Sequence, residues 1–210
     1  MNRFVPDALD QRFLSAMRAR DYQRAIPFFK ERIREAIEAQ DEEAVGYAGD
    51  LLIALLIAAG PDQEALALLH EAIDSFVGEI YLRSSFAGYL LFSLGEPSRA
   101  MEILEPAFDE LMAEEGSRHA TLGLQGAILC ALGRREEAEQ CLREMLRSPL
   151  RRMDPSAIDF RLVESLISAG WSKDMCEQYL TVARDRAREA NDAFAIERSD
   201  RLLHQLRHEP

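Results

Sequence analysis

The chain has 210 residues, with 25 Lys and Arg against 37 Asp and Glu, for a formal charge of −12. At 48% apolar residues it is too apolar for a disordered chain and long enough to bury a sizeable core. The acidic balance argues against a nucleic-acid binder, and three cysteines cannot build a disulfide framework, so a reducing, cytoplasmic setting is expected.

The opening Met-Asn-Arg-Phe-Val-Pro-Asp lacks the pattern of a signal peptide. The longest apolar run, Leu51 to Ala59, is nine residues; a membrane span needs about 20. It reads as a helix buried between neighbours, and no membrane association is expected. Lys30 and Lys173 are the only lysines among the 25 basic residues. That bias looks like GC-rich bacterial coding and says nothing about mechanism.

From the N-terminus onward, one unit recurs. Gly60-Pro-Asp-Gln-Glu-Ala65, Gly95-Glu-Pro-Ser-Arg-Ala100, Gly133-Arg-Arg-Glu-Glu-Ala138 and Gly170-Trp-Ser-Lys-Asp-Met175 align on a glycine followed five residues later by a small or apolar residue. Arg20-Asp-Tyr-Gln-Arg-Ala25 fits except for its glycine. The anchors 25, 65, 100, 138 and 175 are 40, 35, 38 and 37 residues apart. After Ala65 come Leu68, Leu69, Ala72, Ile73 and Phe76; after Ala100 come Ile103, Leu104, Ala107, Phe108 and Leu111. These offsets are one face of an α-helix. A second apolar helical stretch precedes each glycine, as in Phe86 to Leu94. Each unit is therefore helix, turn, helix, with the glycine supplying the left-handed residue that ends the first helix. Gly78 and Gly116 are expected to end second helices. Asp41, Ser117 and Asp154, the last before Pro155, are expected to cap. β-branched residues are few and alternation is absent, so no strands are predicted. Ala195, Ile196, Leu202, Leu203 and Leu206 predict a final helix that caps the array.

The pattern resembles the tetratricopeptide repeat family, most closely at Gly126, Leu129, Gly133, Ala138 and Leu142, and again at Gly88, Leu91, Gly95, Ala100, Leu104 and Ala107. Arg32, Met175 and Gln178, the last on the expected buried stripe, depart from it. The resemblance implies an all-α, right-handed superhelical solenoid of antiparallel helix pairs. The pairs span about 7–39, 41–78, 79–115, 117–149 and 154–190, with a capping helix in 191–210.

No catalytic constellation, phosphate loop or hydrolase elbow is present, so no enzyme and no cofactor are expected. His204 and His208 have metal-ligand spacing but lack further ligands nearby, so exposed tail residues and no metal are expected. His70 falls off the buried stripe and should be exposed. Cys130, Cys141 and Cys176 match no zinc spacing and read as core thiols. Glu102, Glu105, Asp109, Glu110, Glu114 and Glu115 form a solvated acidic face. Arg143, Arg147, Arg151 and Arg152 form a basic cluster near a helix end.

Binding is the leading class. By the resemblance, concave groove residues lie thirteen, ten, six and three positions before each turn glycine. They are Tyr47, Asp50, Ala54 and Ile57; Leu82, Ser85, Tyr89 and Phe92; Ala120, Gly123, Ala127 and Cys130; and Ala157, Phe160, Glu164 and Ile167. None is Lys, Arg or Asn, so clamping of a terminal carboxylate is not expected. The chosen groove set is Tyr47, Asp50, Leu82, Ser85, Tyr89, Phe92, Phe160 and Glu164, for a protein or peptide with apolar anchors and some basic residues. The alternative is a secretion-type chaperone or another dedicated partner-neutralising protein. A ligand-binding sensor is a third, less favoured reading.

Overall fold

The computed structural model describes residues 6–76, 78–114, 116–147 and 158–208. Among them are twelve α-helices and one 3₁₀ turn, and no strand. The helices are α1 (Pro6–Ala19), α2 (Tyr22–Ala39), α3 (Glu42–Ala59), α4 (Gln63–Ser75), α5 (Ile80–Phe92), α6 (Pro97–Leu104), α7 (Phe108–Ala113), α8 (Arg118–Ala131), α9 (Arg135–Arg147), α10 (Arg161–Ser168), α11 (Lys173–Glu189) and α12 (Ala193–His208). The 3₁₀ turn Glu105–Ala107 follows α6 and contains Pro106, whose missing N–H interrupts the helical ladder there.

The chain divides into two compact units, Met1–Ala107 and Phe108–Pro210. In the first, α3 packs on α1 and α5, and α2 packs on α4. In the second, α8 packs on α10 and α9 on α11, while α7 lies against α8 and α12 against α11. Each unit is thus two layers of alternating helices.

Four turn glycines have left-handed backbones: Gly60 at φ 92°, Gly95 at 69°, Gly133 at 73° and Gly170 at 70°. The anchors Ala25, Ala65, Ala100 and Ala138 are buried, as are Leu68, Leu69, Ala72 and Ile73 behind Ala65. Where the first turn lacks a glycine, Arg20 takes φ 54° itself. Asp41 caps α3 by accepting from Ala44 N–H at 3.1 Å.

Several expectations change. In the fifth unit the buried anchor is Cys176, while Met175 is half-buried and Gln178 exposed. Ser172 adopts φ 54° after Gly170, so the turn is one residue longer and the stripe moves on by one. Ser117 does not cap α8; its hydroxyl donates to Glu114 at 3.0 Å. Gly78 and Gly116 are not left-handed helix ends. At Gly78 the end of the Glu42 side chain lies in the space a Cβ would take. Asp154 and Pro155 lie outside the described residues, as do Arg151, Arg152, Ala157 and Glu115.

Candidate functional site

The first unit carries two parallel stripes. Gly46 and Gly49 of α3 let α5 approach so closely that Glu79 and Leu82 fill the space of their missing Cβ atoms. The next contact along is a hydrogen bond between Ser85 and the Asp50 carboxylate. The matched order, 46 to 79, 49 to 82, 50 to 85, makes the two helices run in the same direction.

Along α3, Tyr47 and Ala54 are half-buried, whereas Asp50 is exposed and Ile57 is 62% exposed. Along α5, Ser85 is half-buried and Phe92 is 53% exposed. Two of the expected groove residues are instead core. Leu82 is fully buried because it is the side chain that fills the Gly49 notch. Tyr89 is 2% exposed, and its hydroxyl has no hydrogen-bond partner among the described residues. Burial raises the Tyr89 phenol above its usual range.

Asp50 is open to solvent but walled by protein. Loss of water raises its carboxyl above the ordinary value, opposed by the Ser85 hydrogen bond. Glu79 is raised by the same loss of water, and then by the negative charges of Glu42, Asp50 and Glu43. None of these four carboxylates has an ion-pair partner among the described residues. The N-terminal halves of α3 and α5 therefore carry an acidic edge without ion-pair partners among the described residues, and their C-terminal ends present Ile57 and Phe92.

The second unit differs. Gly123 and Ala127 are buried, and Ala120 and Cys130 are half-buried, so α8 offers no projecting side chain at these positions. Phe160 is buried and lies under Arg198 of α12, whose guanidinium is 5.7 Å from the ring centroid. Glu164 accepts two hydrogen bonds from Arg198, at 3.0 and 2.7 Å, and one from Arg201 at 3.5 Å. The negative charge expected of Glu164 is thus compensated within the chain. Phe194 stands 68% exposed beside Arg198.

A buried polar network in this unit had no signal in the sequence beyond an isolated histidine. His119 is 2% exposed, and its Nε2 lies 2.8 Å from the Tyr179 hydroxyl. That hydroxyl donates to the Asp159 carbonyl at 2.7 Å. The hydroxyl proton is thereby used, so Nε2 of His119 carries the ring proton and Nδ1 is left as a buried acceptor without a partner. The Asp159 carboxylate holds Arg161, which also donates to the Ala120 carbonyl at 3.0 Å.

The remaining candidates are structural. The three thiols are unpaired; loss of water pushes Cys130 and Cys176 up to about 12 and Cys141 to about 11, which makes them poor nucleophiles. His70 is half-buried rather than exposed: it meets the edge of Phe86 and pairs through Nε2 with Arg99 at 2.7 Å. His204 and His208 are exposed, with ring centroids 4.3 Å apart. Among the described residues no cluster of His, Cys, Asp or Glu is arranged to hold a metal ion. No helix among them is long and apolar enough to cross a membrane. Glu102, Glu105, Asp109 and Glu110 are exposed. Arg143 is held by Glu139 at 3.4 Å.

No protein-family model matches the chain, and no curated protein matches it in sequence. Among solved structures it is similar to PilW, described as a widely conserved type IV pilus biogenesis factor, over 97% of this chain and 93% of that one, at 16% identity and a TM-score of 0.60. The fold is accordingly an all-α, tetratricopeptide-like repeat of helix pairs.

Proposed function

We propose that the protein is a non-catalytic interaction module that holds a segment of a partner protein against the α3–α5 face of its first unit. One observation carries this reading: Ile57 and Phe92, two large apolar side chains, stand in solvent at the ends of the stripes that share the Asp50–Ser85 bond. Large apolar side chains on a helix-pair face beside uncompensated charge are what a partner with apolar anchors and basic residues would use.

The likeness to PilW supports a more specific version, in which the chain assists assembly of a surface appendage as a dedicated chaperone or biogenesis factor. A reducing compartment remains the proposed setting, supported by three unpaired thiols.

The test is affinity capture from the native organism with the wild type and with Phe92→Ala and Ile57→Ser. Truncating one anchor should weaken capture of a specific partner by about 1–3 kcal/mol. Equal recovery of the same partner by all three proteins would remove the α3–α5 face as the docking surface. Asp50→Asn should weaken binding mainly at low salt, because exposed charges are screened at high salt.

A further inference from the structure

We propose that the α3–α5 face takes a bipartite segment, with its cationic end over Glu42, Glu43, Asp50 and Glu79 along the N-terminal halves of the two helices and its apolar anchor against Ile57 and Phe92 at their C-terminal ends. This rests on the reading above that the face is the docking surface, and adds the chemistry and the order of what lies on it.

Charge complementarity fixes one end. The negative charges of Glu42, Asp50 and Glu43 raise the Glu79 carboxyl, and none of the four carboxylates has an ion-pair partner among the described residues. The contacts of Glu79 at Gly46 and of Glu42 at Gly78 hold two of these carboxylates across the α3–α5 seam. An ammonium or guanidinium from a partner would supply the missing charge at an exposed, partly walled position. The other end is apolar by the exposure of Ile57 and Phe92.

The spacing follows from helix geometry. Asp50 to Ile57 is seven residues and Glu79 to Phe92 is thirteen, about 10 and 20 Å at 1.5 Å per residue. An extended segment covers that span in roughly three to six residues at about 3.3 Å each.

The experiment uses the full chain and fluorescein-labelled synthetic peptides. Each peptide carries Arg-Arg, a Gly-Ser spacer of two, five or twelve residues, and Leu-Trp, and binding is read by anisotropy at low salt. The five-residue spacer should bind tightest. Phe92→Ala should weaken it about tenfold, and Glu79→Gln about threefold. Double-mutant cycles then assign the ends. Replacing the peptide's arginines by norleucine should cost less in Glu79→Gln than in the wild type, but its full cost in Phe92→Ala. Replacing the peptide's Trp by Ala should show the reverse.

If both protein variants weaken binding but the couplings are crossed or equal, the bipartite order is overturned and the docking face stands. If neither variant changes affinity, or no peptide binds, the face itself is overturned. A mass that rises with concentration and is restored to the monomer by Phe92→Ala overturns the inference in favour of a second copy of the chain as occupant.

Discussion

Acid should loosen the second unit through one ring. His119 is held neutral: burial lowers its pKa from the ordinary 6.5 to about 4, against a smaller opposing effect of Asp159. Protonation would place a charge on a ring whose Nδ1 has no partner and whose Nε2 already donates to Tyr179. Between pH 4 and 6.5 the unfolded chain therefore binds more protons at this site than the folded one. The contribution is fully present above pH 6.5 and is lost as pH falls through about 4. At about 1.4 kcal/mol per tenfold change in proton affinity, the loss approaches roughly 3 kcal/mol. Urea unfolding of the wild type and of His119→Phe at intervals between pH 4 and 7.5 isolates it, because the carboxylates titrate alike in both. The wild type should lose about 3 kcal/mol relative to the variant across this range. A difference in stability that stays constant with pH would refute the buried neutral histidine.

The two faces of α5 should respond oppositely to truncation. Leu82→Ala empties the Gly49 notch and should cost about 2–5 kcal/mol in denaturant unfolding, whereas Phe92→Ala, at an exposed position, should leave the Tm nearly unchanged. Gly126→Val puts a branched side chain where a Cβ alone would stand 2.6 Å from Leu162, and should destabilise by about 3 kcal/mol; an unaltered melting curve would mean that α8 and α10 are not in that contact. Ser199 is fully buried and its hydroxyl has no partner among the described residues, so Ser199→Ala should be neutral or stabilising by up to about 1–2 kcal/mol, read by the urea midpoint. Deleting α12 uncovers the surface packed under Leu202 and Leu203 and frees Glu164, and should lower both solubility and Tm.

The repeat was legible because its strongest signals are local. A glycine five residues before a small residue is a turn plus the closest point of a helix pair, and both are needed wherever such a pair is built. The fifth unit shows the limit of that logic. Ser172 carries no mark of a left-handed backbone, so the extra turn residue was invisible and the predicted stripe landed on Met175 and Gln178. Register counted from the turn identified the helix faces at Asp50, Ser85, Ile57 and Phe92, but could not separate a residue that projects from one that fills a notch. Leu82 depends on what Gly49 lacks, thirty-three residues away. The compensation of Glu164 is not legible in the sequence because its neutralising arginines arrive from α12, which sequence order alone does not bring to α10. The His119 network is hidden for the same reason: its partner Tyr179 is sixty residues distant.

The glycine notches have a mechanical meaning. On α3, Gly46 and Gly49 receive Glu79 and Leu82; on α8, Gly123 and Gly126 receive Asp159 and Leu162. Both are the same joint, two glycines three apart accepting an acid and a leucine three apart. Backbone meets side chain there without an intervening Cβ, so little sliding is available before hard contact. α1 and α10 contain no glycine, and α12 reaches α10 through long arginine side chains instead. Under a load applied along the chain, each unit should behave as a stiff clasp with one compliant end, yielding first at α1 or α12 and last where the glycines lie.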